Sequence, residues 1–425
     1  MIYLDHAATT APRREVLEAM WPWLTQEFGN ASSHHERGQR AARALDDARE
    51  RVAAVLGARP GEIIFTSGGT EADNLAVKGI ALARRERQPD RNRVLISAIE
   101  HDAVLESARF LAQFEGFSAS ELPVDSKGFV SPDTFRAALT HDDARSGTAH
   151  TSSPSSVAVA SVILANNEVG TVQNIPALAE IAAEHGVPLH TDAVQGAGAL
   201  PLNVNELGVS ALSLAGHKMG TPQGIGMLWV KRGTPLRSLM SGGGHERGRR
   251  SGTSNVAGAV GLATALELAE REREHYAARI STLRNRLIDG ILGSVPGALL
   301  TGPDPRETVN FQGLGVAANA TAATSAGLNG TTRLPTNASF CFPGVNGETV
   351  LVDLENQGVL VSSGSACATG SSEPSHVLTA MAVPAEIATT SVRFSLGKET
   401  AEADIDHAIR ATAQIIAELR GGRTR

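Results

Sequence analysis

A lysine, an aspartate and a glycine-rich turn each follow an apolar stretch of this 425-residue chain, and together they could support imine chemistry. Lys218 stands in "SLAGHKMGTPQGIG", and Asp192 stands at the end of "PLHTD". Burial disfavours the charged form of a lysine, so it lowers the pKa from about 10.4 and exposes a nucleophilic amine. An aspartate is costly to bury alone, so we expect a cationic partner for Asp192.

The turn "TSGGTE", which holds Gly69 and Thr70, indicates a phosphate site. Small residues let the backbone approach a ligand closely, and the following helix presents free N–H groups and a positive end. Alone the turn is weak evidence, because most such turns bind nothing. A lysine for a Schiff base, an acid for a pyridinium nitrogen and a helix N-terminus for a phosphate are what pyridoxal 5'-phosphate (PLP) needs. Their combination predicts PLP as the cofactor, and we expect no metal ion.

Further polar residues follow other predicted strands. His101 comes after "RVLIS" at the start of a helix, Asn167 lies in "ANNEVGTVQ", and Gln195 is three residues beyond Asp192. Taken singly, each of these residues could equally be a surface or turn residue or a ligand contact. The cluster "HERGRR" (His245 to Arg250) is either a solvated turn or an anion site.

The chain has only two cysteines, and their settings differ. Cys367 lies in "SSGSACATGS", among small residues that would let a thiol move; it is either an incidental residue of a linker or a thiol that must reach something. Cys341, in "NASFCFPG", alternates with apolar residues on a strand pattern, which predicts a core position.

Composition sets the broad class of protein. The hydrophobic fraction of 42% with 20% charged residues is that of a globular protein, and the net charge of -7 gives no electrostatic case for nucleic acid. Two cysteines cannot build a disulfide framework, so a reducing compartment is expected. The start "MIYLDHAATT" has no signal-peptide pattern, and no apolar run is long enough to span a bilayer. We expect a soluble cytoplasmic protein.

The elements that must position these residues alternate between strand and helix through the first 260 residues or so. This alternation predicts a largely parallel sheet with helices on both faces, whose ligands bind at the carboxyl ends of the strands. Pro22 is expected to kink or split the first helix. One long helix from "VAGAVG" to "DGIL" then introduces a second, smaller domain. The Ser/Ala-rich stretches 143–156 and 315–332 are expected to be flexible surface insertions, with no function assigned.

The order of motifs resembles that of the cysteine desulfurases, which belong to the class V aminotransferases among fold-type I PLP enzymes. The resemblance rests on "YLDHAATT", "FTSGGTEADNLAVKG", "TDAVQGAG", "GHKMGTPQGIG", "GGGHERGRRSGT" and "SSGSACATGSSEPSHVL", and it extends from Tyr3 to Gly397. It implies an α/β fold with a mostly parallel seven-stranded sheet flanked by helices in a large PLP-binding domain, residues 13–258. A smaller α+β domain, residues 1–12 and 259–425, would carry the catalytic cysteine loop.

The resemblance also implies a role for each matched residue. Lys218 would form the Schiff base, Asp192 would pair with the pyridinium nitrogen, and Gln195 would contact the phenolic oxygen of the cofactor. His101 would stack on the ring and move protons, and Asn167 would contact cofactor and substrate. The residues implied to bind the phosphate are Gly69, Thr70, His217 and, from the other subunit of a homodimer, Thr253. Arg393 in "VRFSLG" would bind the substrate carboxylate, and Cys367 would be the nucleophile that takes sulfur from L-cysteine as a persulfide.

Two departures from the family pattern leave questions open. Ala215 stands where many members have a phosphate-binding serine; Ser213 faces the same side of the strand but lies two residues further back. The end "AELRGGRTR" lacks the tail with which housekeeping members dock an iron–sulfur scaffold protein, so the sulfur acceptor could serve iron–sulfur cluster assembly, tRNA thiolation or cofactor biosynthesis.

Other functions also remain open. A selenocysteine lyase and another class V aminotransferase are the alternatives within the family, and the "SSGSAC" loop counts against the aminotransferase. A non-catalytic scaffold would need neither Lys218 nor Cys367.

Overall fold

The computed structural model describes residues 1–140, 155–307, 330–364 and 374–422. Cys367 and most of both Ser/Ala-rich stretches lie outside the described residues. Within the described part of the chain, no helix is long and apolar enough to cross a membrane.

Seven strands form the central sheet, and most neighbouring pairs are parallel. The sheet contains β2 (Ile63–Thr66), β3 (Arg93–Ser97), β4 (Ser118–Leu122), β5 (Val157–Ser161), β6 (Leu189–Asp192), β7 (Ala211–Ala215) and β8 (Gly226–Val230) in the order β2-β8-β7-β6-β5-β3-β4. Only β8 runs antiparallel to its two neighbours. This confirms the predicted sheet. Its edge strand β4 has the mostly exposed sequence "SASEL", which lacks the apolar run that reveals a buried strand.

Helices connect the strands and cover the sheet. They are α1 (Arg14–Thr25), α2 (Glu36–Leu56), α3 (Gly69–Arg87), α4 (Asp102–Phe114), α5 (Pro132–Thr140), α6 (Ile175–Glu184), α7 (Val204–Leu207), α8 (Val256–Ser294), α9 (Gly347–Asn356), α10 (His376–Ala380), α11 (Ala385–Ala388) and α12 (Glu402–Arg420). The end of α2 follows its sequence signal, because Gly57 adopts a left-handed φ of 66°.

Pro22 does not split α1. The helix continues to Thr25, and the N–H groups of Gln26 and Glu27 both donate to the Pro22 carbonyl oxygen, which closes the last turn. The proline removes one hydrogen bond within the helix but does not end it.

Two hydrophobic cores meet along the 39-residue helix α8. Its first half, Ala257 to Leu268, packs in the core of the large sheet, and its second half, Ile280 to Ile291, packs in a second core. The second core covers an antiparallel sheet of β9 (Leu299–Leu300), β10 (Asn337–Cys341) and β12 (Ser391–Ser395).

The N-terminal strand belongs to the C-terminal part of the structure. β1 (Ile2–Tyr3) pairs in parallel with β11 (Val359–Leu360), and Leu4 lies in the second core. The domain limits at residues 12 and 258 stay a prediction. Thr332, the last residue of the second Ser/Ala-rich stretch, is buried and its carbonyl accepts from the Val172 N–H at 2.9 Å, so the predicted flexible surface insertion does not include this residue.

Candidate active site

Lys218 lies in a 3₁₀ turn, Gly216–Lys218, directly after β7. Its ammonium donates to the carbonyl oxygens of Ala7 and Ala8, the second at 2.7 Å. The same N-terminal segment is fixed to the turn by Thr10, whose N–H and hydroxyl both donate to the His217 carbonyl. The amine is therefore held at the end of the strand by backbone from the other end of the chain.

Asp192 is the last residue of β6, the strand next to β7, and it is 5% exposed. Burial raises the pKa of its carboxyl, whereas the His101 ring, when it is protonated, and the Lys218 ammonium oppose that rise by their charge. One carboxylate oxygen accepts from the Val194 N–H at 2.9 Å. The two residues predicted to act on opposite ends of the PLP ring system thus follow adjacent strands.

The start of α3 lies close to both strand ends. A Cβ on Gly69 would lie 3.0 Å from Val194 and 3.3 Å from the Ala215 side chain, so a larger residue would fill the turn. Thr70 is exposed in the first turn of the helix. His217 accompanies this group; burial lowers its pKa to about 4, and its Nδ1 is 3.1 Å from the Thr9 hydroxyl.

His101 caps the N-terminus of α4. Its Nδ1 accepts a hydrogen bond from the Ala103 N–H at 3.1 Å. Because Nδ1 is the acceptor, the neutral ring carries its hydrogen on Nε2. Gln195, the other predicted ring contact, donates from Nε2 to the Ala7 carbonyl at 3.0 Å. Both residues therefore belong to the same strand-end group as Asp192.

Arg393 is 1% exposed and lies at the junction of the two cores. Its guanidinium donates to Asp5 at 2.9 Å and to the Asn167 carbonyl at 3.2 Å, whereas its buried Nε has no hydrogen-bond partner. Asn167 is partly exposed, but the preceding Asn166 is buried, and its side chain donates to the Ile99 carbonyl and accepts from the Glu168 N–H. The ligand contact of Asn167 stays a prediction.

The segment that contains Cys367 starts and ends on residues of this site. Before it, Ser362 pairs with the backbone of Arg393, and a Cβ on Gly364 would lie 2.8 Å from a Glu168 oxygen. After it, the Ser375 hydroxyl donates to the same oxygen of Glu168 at 2.5 Å. Glu168 is buried, and its position in "ANNEVG" carried no sequence signal of this contact.

Cys341 is fully buried, and burial raises the pKa of its thiol to about 11. This confirms the predicted core position. A thiol with such a pKa is almost wholly protonated at neutral pH and is a poor nucleophile.

Thr253 is exposed. The preceding Arg250 is paired with Glu71 through two hydrogen bonds of 2.7 and 3.0 Å, and Arg249 donates to the Gly61 carbonyl. Two arginines of the "HERGRR" cluster are thus engaged within the chain.

Ser213 does not supply the hydroxyl that Ala215 lacks. Its hydroxyl lies 2.9 Å from Nε2 of His190 and is fully buried behind the strand ends. Besides Glu168, the buried ionisable residues Asp73, Glu100 and His190 also lie in this region, and the sequence predicted no role for them. Asp73 lies on α3, His190 lies on β6, and Glu100 lies between β3 and α4.

The residues present fit PLP. A buried acid gains from a pyridinium partner, the tight turn at Gly69 leads into free N–H groups, and Lys218 supplies the amine. Lys218, Asp192, Gln195 and Asn167 would hold the ring system, and Gly69, Thr70 and His217 would hold the phosphate.

Comparison with known proteins agrees with this fit. The aminotransferase class-V family model matches residues 2–324 and 318–407. The chain is 43% identical over 421 residues to an IscS-like cysteine desulfurase of Mycobacterium tuberculosis, covering 99% of this chain and 97% of that protein.

Solved structures show the same relationship. A NifS-like protein superposes with a TM-score of 0.81 at 32% identity, covering 98% of this chain and 99% of the other. SspA, solved in complex with cysteine, superposes with a TM-score of 0.71 at 32% identity, covering 93% and 99%. The predicted family and fold are confirmed: the chain belongs to the aminotransferase class-V family and is a PLP-dependent enzyme of the cysteine desulfurase type.

Proposed function

We propose that this protein converts L-cysteine to L-alanine and transfers the sulfur to Cys367 as a persulfide. The observation that carries the proposal is the meeting of four features at one sheet edge. They are the amine of Lys218, the buried acid Asp192, the start of α3, and the two anchors of the Cys367 segment.

The substrate would be held by its carboxylate. Arg393 offers a guanidinium suited to two parallel hydrogen bonds, and Asn167 lies beside it. Because Arg393 is buried, this interaction takes place away from bulk water and is correspondingly strong.

Side chains of the protein itself transfer the protons. PLP, when bound, withdraws the electrons that are released at the substrate Cα. Lys218 removes and returns the Cα proton, and Asp192 keeps a proton on the pyridinium nitrogen. His101 holds a hydrogen at Nε2; it can take a proton at Nδ1 only after the hydrogen bond to Ala103 opens.

The sulfur then moves to Cys367. Its thiolate attacks the substrate sulfur, the carbon–sulfur bond of the substrate breaks, and a proton is added to that carbon. The products are L-alanine and Cys367–S–SH, so sulfur and hydrogen are balanced without an external oxidant. A thiolate is required, so Cys367 must lose its proton near neutral pH.

The proposed assembly is a homodimer in the cytoplasm. Thr253, which is exposed in the single chain, then reaches the phosphate of the partner's cofactor. The persulfide is passed to an acceptor protein for iron–sulfur cluster assembly or tRNA thiolation.

One assay tests the central proposal. The full chain is incubated with PLP and L-cysteine, and alanine and sulfide are measured. The absence of both products refutes the proposal. Cys367→Ala should lose persulfide and alanine formation, whereas Cys341→Ala, which removes the other thiol, should retain both. Alanine formation at an unchanged rate in Cys367→Ala would remove Cys367 from the mechanism. A large preference for selenocysteine would favour the lyase instead.

A further inference from the structure

Behind Asp192, four side chains form a continuous buried chain of polar contacts. The Ser161 hydroxyl lies 2.9 Å from Nδ1 of His190, and Nε2 of His190 lies 2.9 Å from the Ser213 hydroxyl. Ser213 in turn hydrogen bonds to Asp73. All four residues are at most 1% exposed, so water does not share these bonds.

The fold places this chain directly under the cofactor site. Ser161 is the cross-strand partner of His190, and Ser213 is the partner of Asp192, so these side chains share one face of the sheet. Asp73 reaches them from α3, one turn after Gly69, and α3 packs on this face. The helix that starts at the phosphate site therefore also carries an acid to the back of Asp192.

The charge on Asp73 is not balanced by His190. Nε2 of His190 lies 3.6 Å from Oδ1 of Asp73, which is beyond a hydrogen bond, and that oxygen is buried without a hydrogen-bond partner. The ionisable groups that act on Asp73 are Asp192 and Glu100, both acidic; His101 and Lys218 act on Asp192. An ionised Asp73 would be a bare carboxylate beside other acids in a dry environment, which is strongly unfavourable.

We propose that Asp73 is held as the neutral carboxylic acid at the head of an uncharged hydrogen-bond chain, Asp73–Ser213–His190–Ser161, which positions β6 and leaves the negative charge on Asp192. This inference rests on the proposed pairing of Asp192 with the cofactor. Asp73 and His190 are positioning residues, because they act through Asp192 and not on the cofactor itself.

A proton on the Asp73 oxygen that faces Ser213 fixes the direction of every bond in the chain, because the other oxygen, Oδ1, has no partner among the described residues to which a hydrogen could be donated. The Asp73 O–H donates to Ser213, the Ser213 O–H donates to Nε2 of His190, and the Nδ1–H of His190 donates to Ser161. An ionised Asp73 would require the opposite direction, with the hydrogen on Nε2. The tautomer of His190 therefore reports the protonation state of Asp73.

The first test reads that tautomer in the full-length, PLP-loaded protein. Histidine is labelled with ¹⁵N, and the His190 signals are assigned by their loss in His190→Gln. We expect a neutral ring protonated at Nδ1 at pH 7, and the same tautomer in Asp73→Asn, whose amide can also donate to Ser213. A hydrogen on Nε2, or an imidazolium ring, would overturn the proposal.

The second test is the pH dependence of thermal unfolding. A carboxyl with a raised folded pKa stabilises the protein below its unfolded pKa of about 3.9, and that contribution is lost as the pH rises toward the folded pKa. Asp73→Asn lacks this loss. The melting temperature of the variant minus that of wild type should therefore increase by at least about 2 °C from pH 5 to pH 8.

Asp46→Asn, at an exposed position of α2, is the matched control and should show a constant difference. A constant difference in Asp73→Asn as well would overturn the proposal. Neither test measures turnover, so the result stands whether or not Asp192 pairs with the cofactor; loss of PLP binding in Asp192→Asn tests that separately.

Discussion

Asp5 and Arg393 form a partly buried ion pair at 2.9 Å although they lie 388 positions apart in the chain. Asp5 comes from the segment after β1, and Arg393 is the middle residue of β12. The pair fixes the plane of the guanidinium that is proposed to bind the substrate carboxylate, while a second bond to the Asn167 carbonyl fixes its other side.

The first prediction concerns this pair. In Asp5→Asn, the guanidinium loses its carboxylate partner and its fixed orientation, so KM for L-cysteine should rise about 10-fold or more with little change in kcat, as expected when uniform binding is lost. Steady-state alanine formation measures both. Asp406→Asn is the matched control, because it breaks an exposed pair with Arg286 and should leave KM unchanged. An unchanged or lower KM in Asp5→Asn would contradict the orienting role.

A second prediction addresses the anchor of the Cys367 segment. Ser375 donates to Glu168 and also accepts from the first N–H groups of α10, so Ser375→Ala removes an anchor and a helix cap together. The cap alone is worth about 1 kcal/mol of stability. We expect persulfide formation in single turnover to slow by about 10-fold, an effect of about 1.4 kcal/mol on the barrier.

The control for this variant is Asn346→Ala, which removes the equivalent cap of α9 away from the site. It should lose similar stability but keep the rate of persulfide formation. Equal slowing in both variants would show that the effect of Ser375→Ala is general destabilisation.

Subunit complementation provides the third prediction. If Thr253 serves the partner's cofactor, a dimer of one Lys218→Ala chain and one Thr253→Ala chain contains one intact site. Each variant alone should be inactive or weakened, and mixed subunits should recover activity. The recovered activity is measured after the two chains are coexpressed with different tags and the mixed dimer is purified. No recovery in a verified mixed dimer would place Thr253 in its own subunit's site or outside any site.

The fourth prediction follows from two neutral histidines. Burial lowers the pKa of His190 to about 3 and that of His217 to about 4, whereas both titrate near 6.5 in the unfolded chain. Between about pH 4 and 6.5 the unfolded state therefore binds more protons, and these groups make stability fall as the pH is lowered.

Denaturant unfolding at pH 4.5, 5.5 and 6.5 should show this fall, and His217→Gln should make it shallower. His275→Gln, at an exposed position of α8, should not change the slope. If both variants follow wild type in parallel, His217 is not held neutral by the fold.

The motifs and the alternation of elements were readable without the structure because they depend on local order. Lys218, Asp192 and Gly69 each follow an apolar strand, and strands that share a parallel sheet bring their carboxyl ends to one edge. The glycine after α2 likewise predicted the end of that helix. The alternating pattern around Cys341 predicted its burial. The exposed strand β4 was not predicted, because an edge strand with a polar sequence has no apolar pattern.

Contacts between distant residues were decided only by the tertiary structure. Nothing in "YLDHAATT" indicates that Asp5 pairs with Arg393, and nothing in "ANNEVG" indicates that Glu168 accepts from Ser375. The same holds for Asp73, which α3 brings to Ser213 and His190 behind Asp192. Sequence determines which chemistry each strand end can supply, because residue type and local period are local properties. The partner of each buried polar group depends on which elements pack together. A buried polar group is costly without a hydrogen bond, so it bonds to the groups that the fold places beside it.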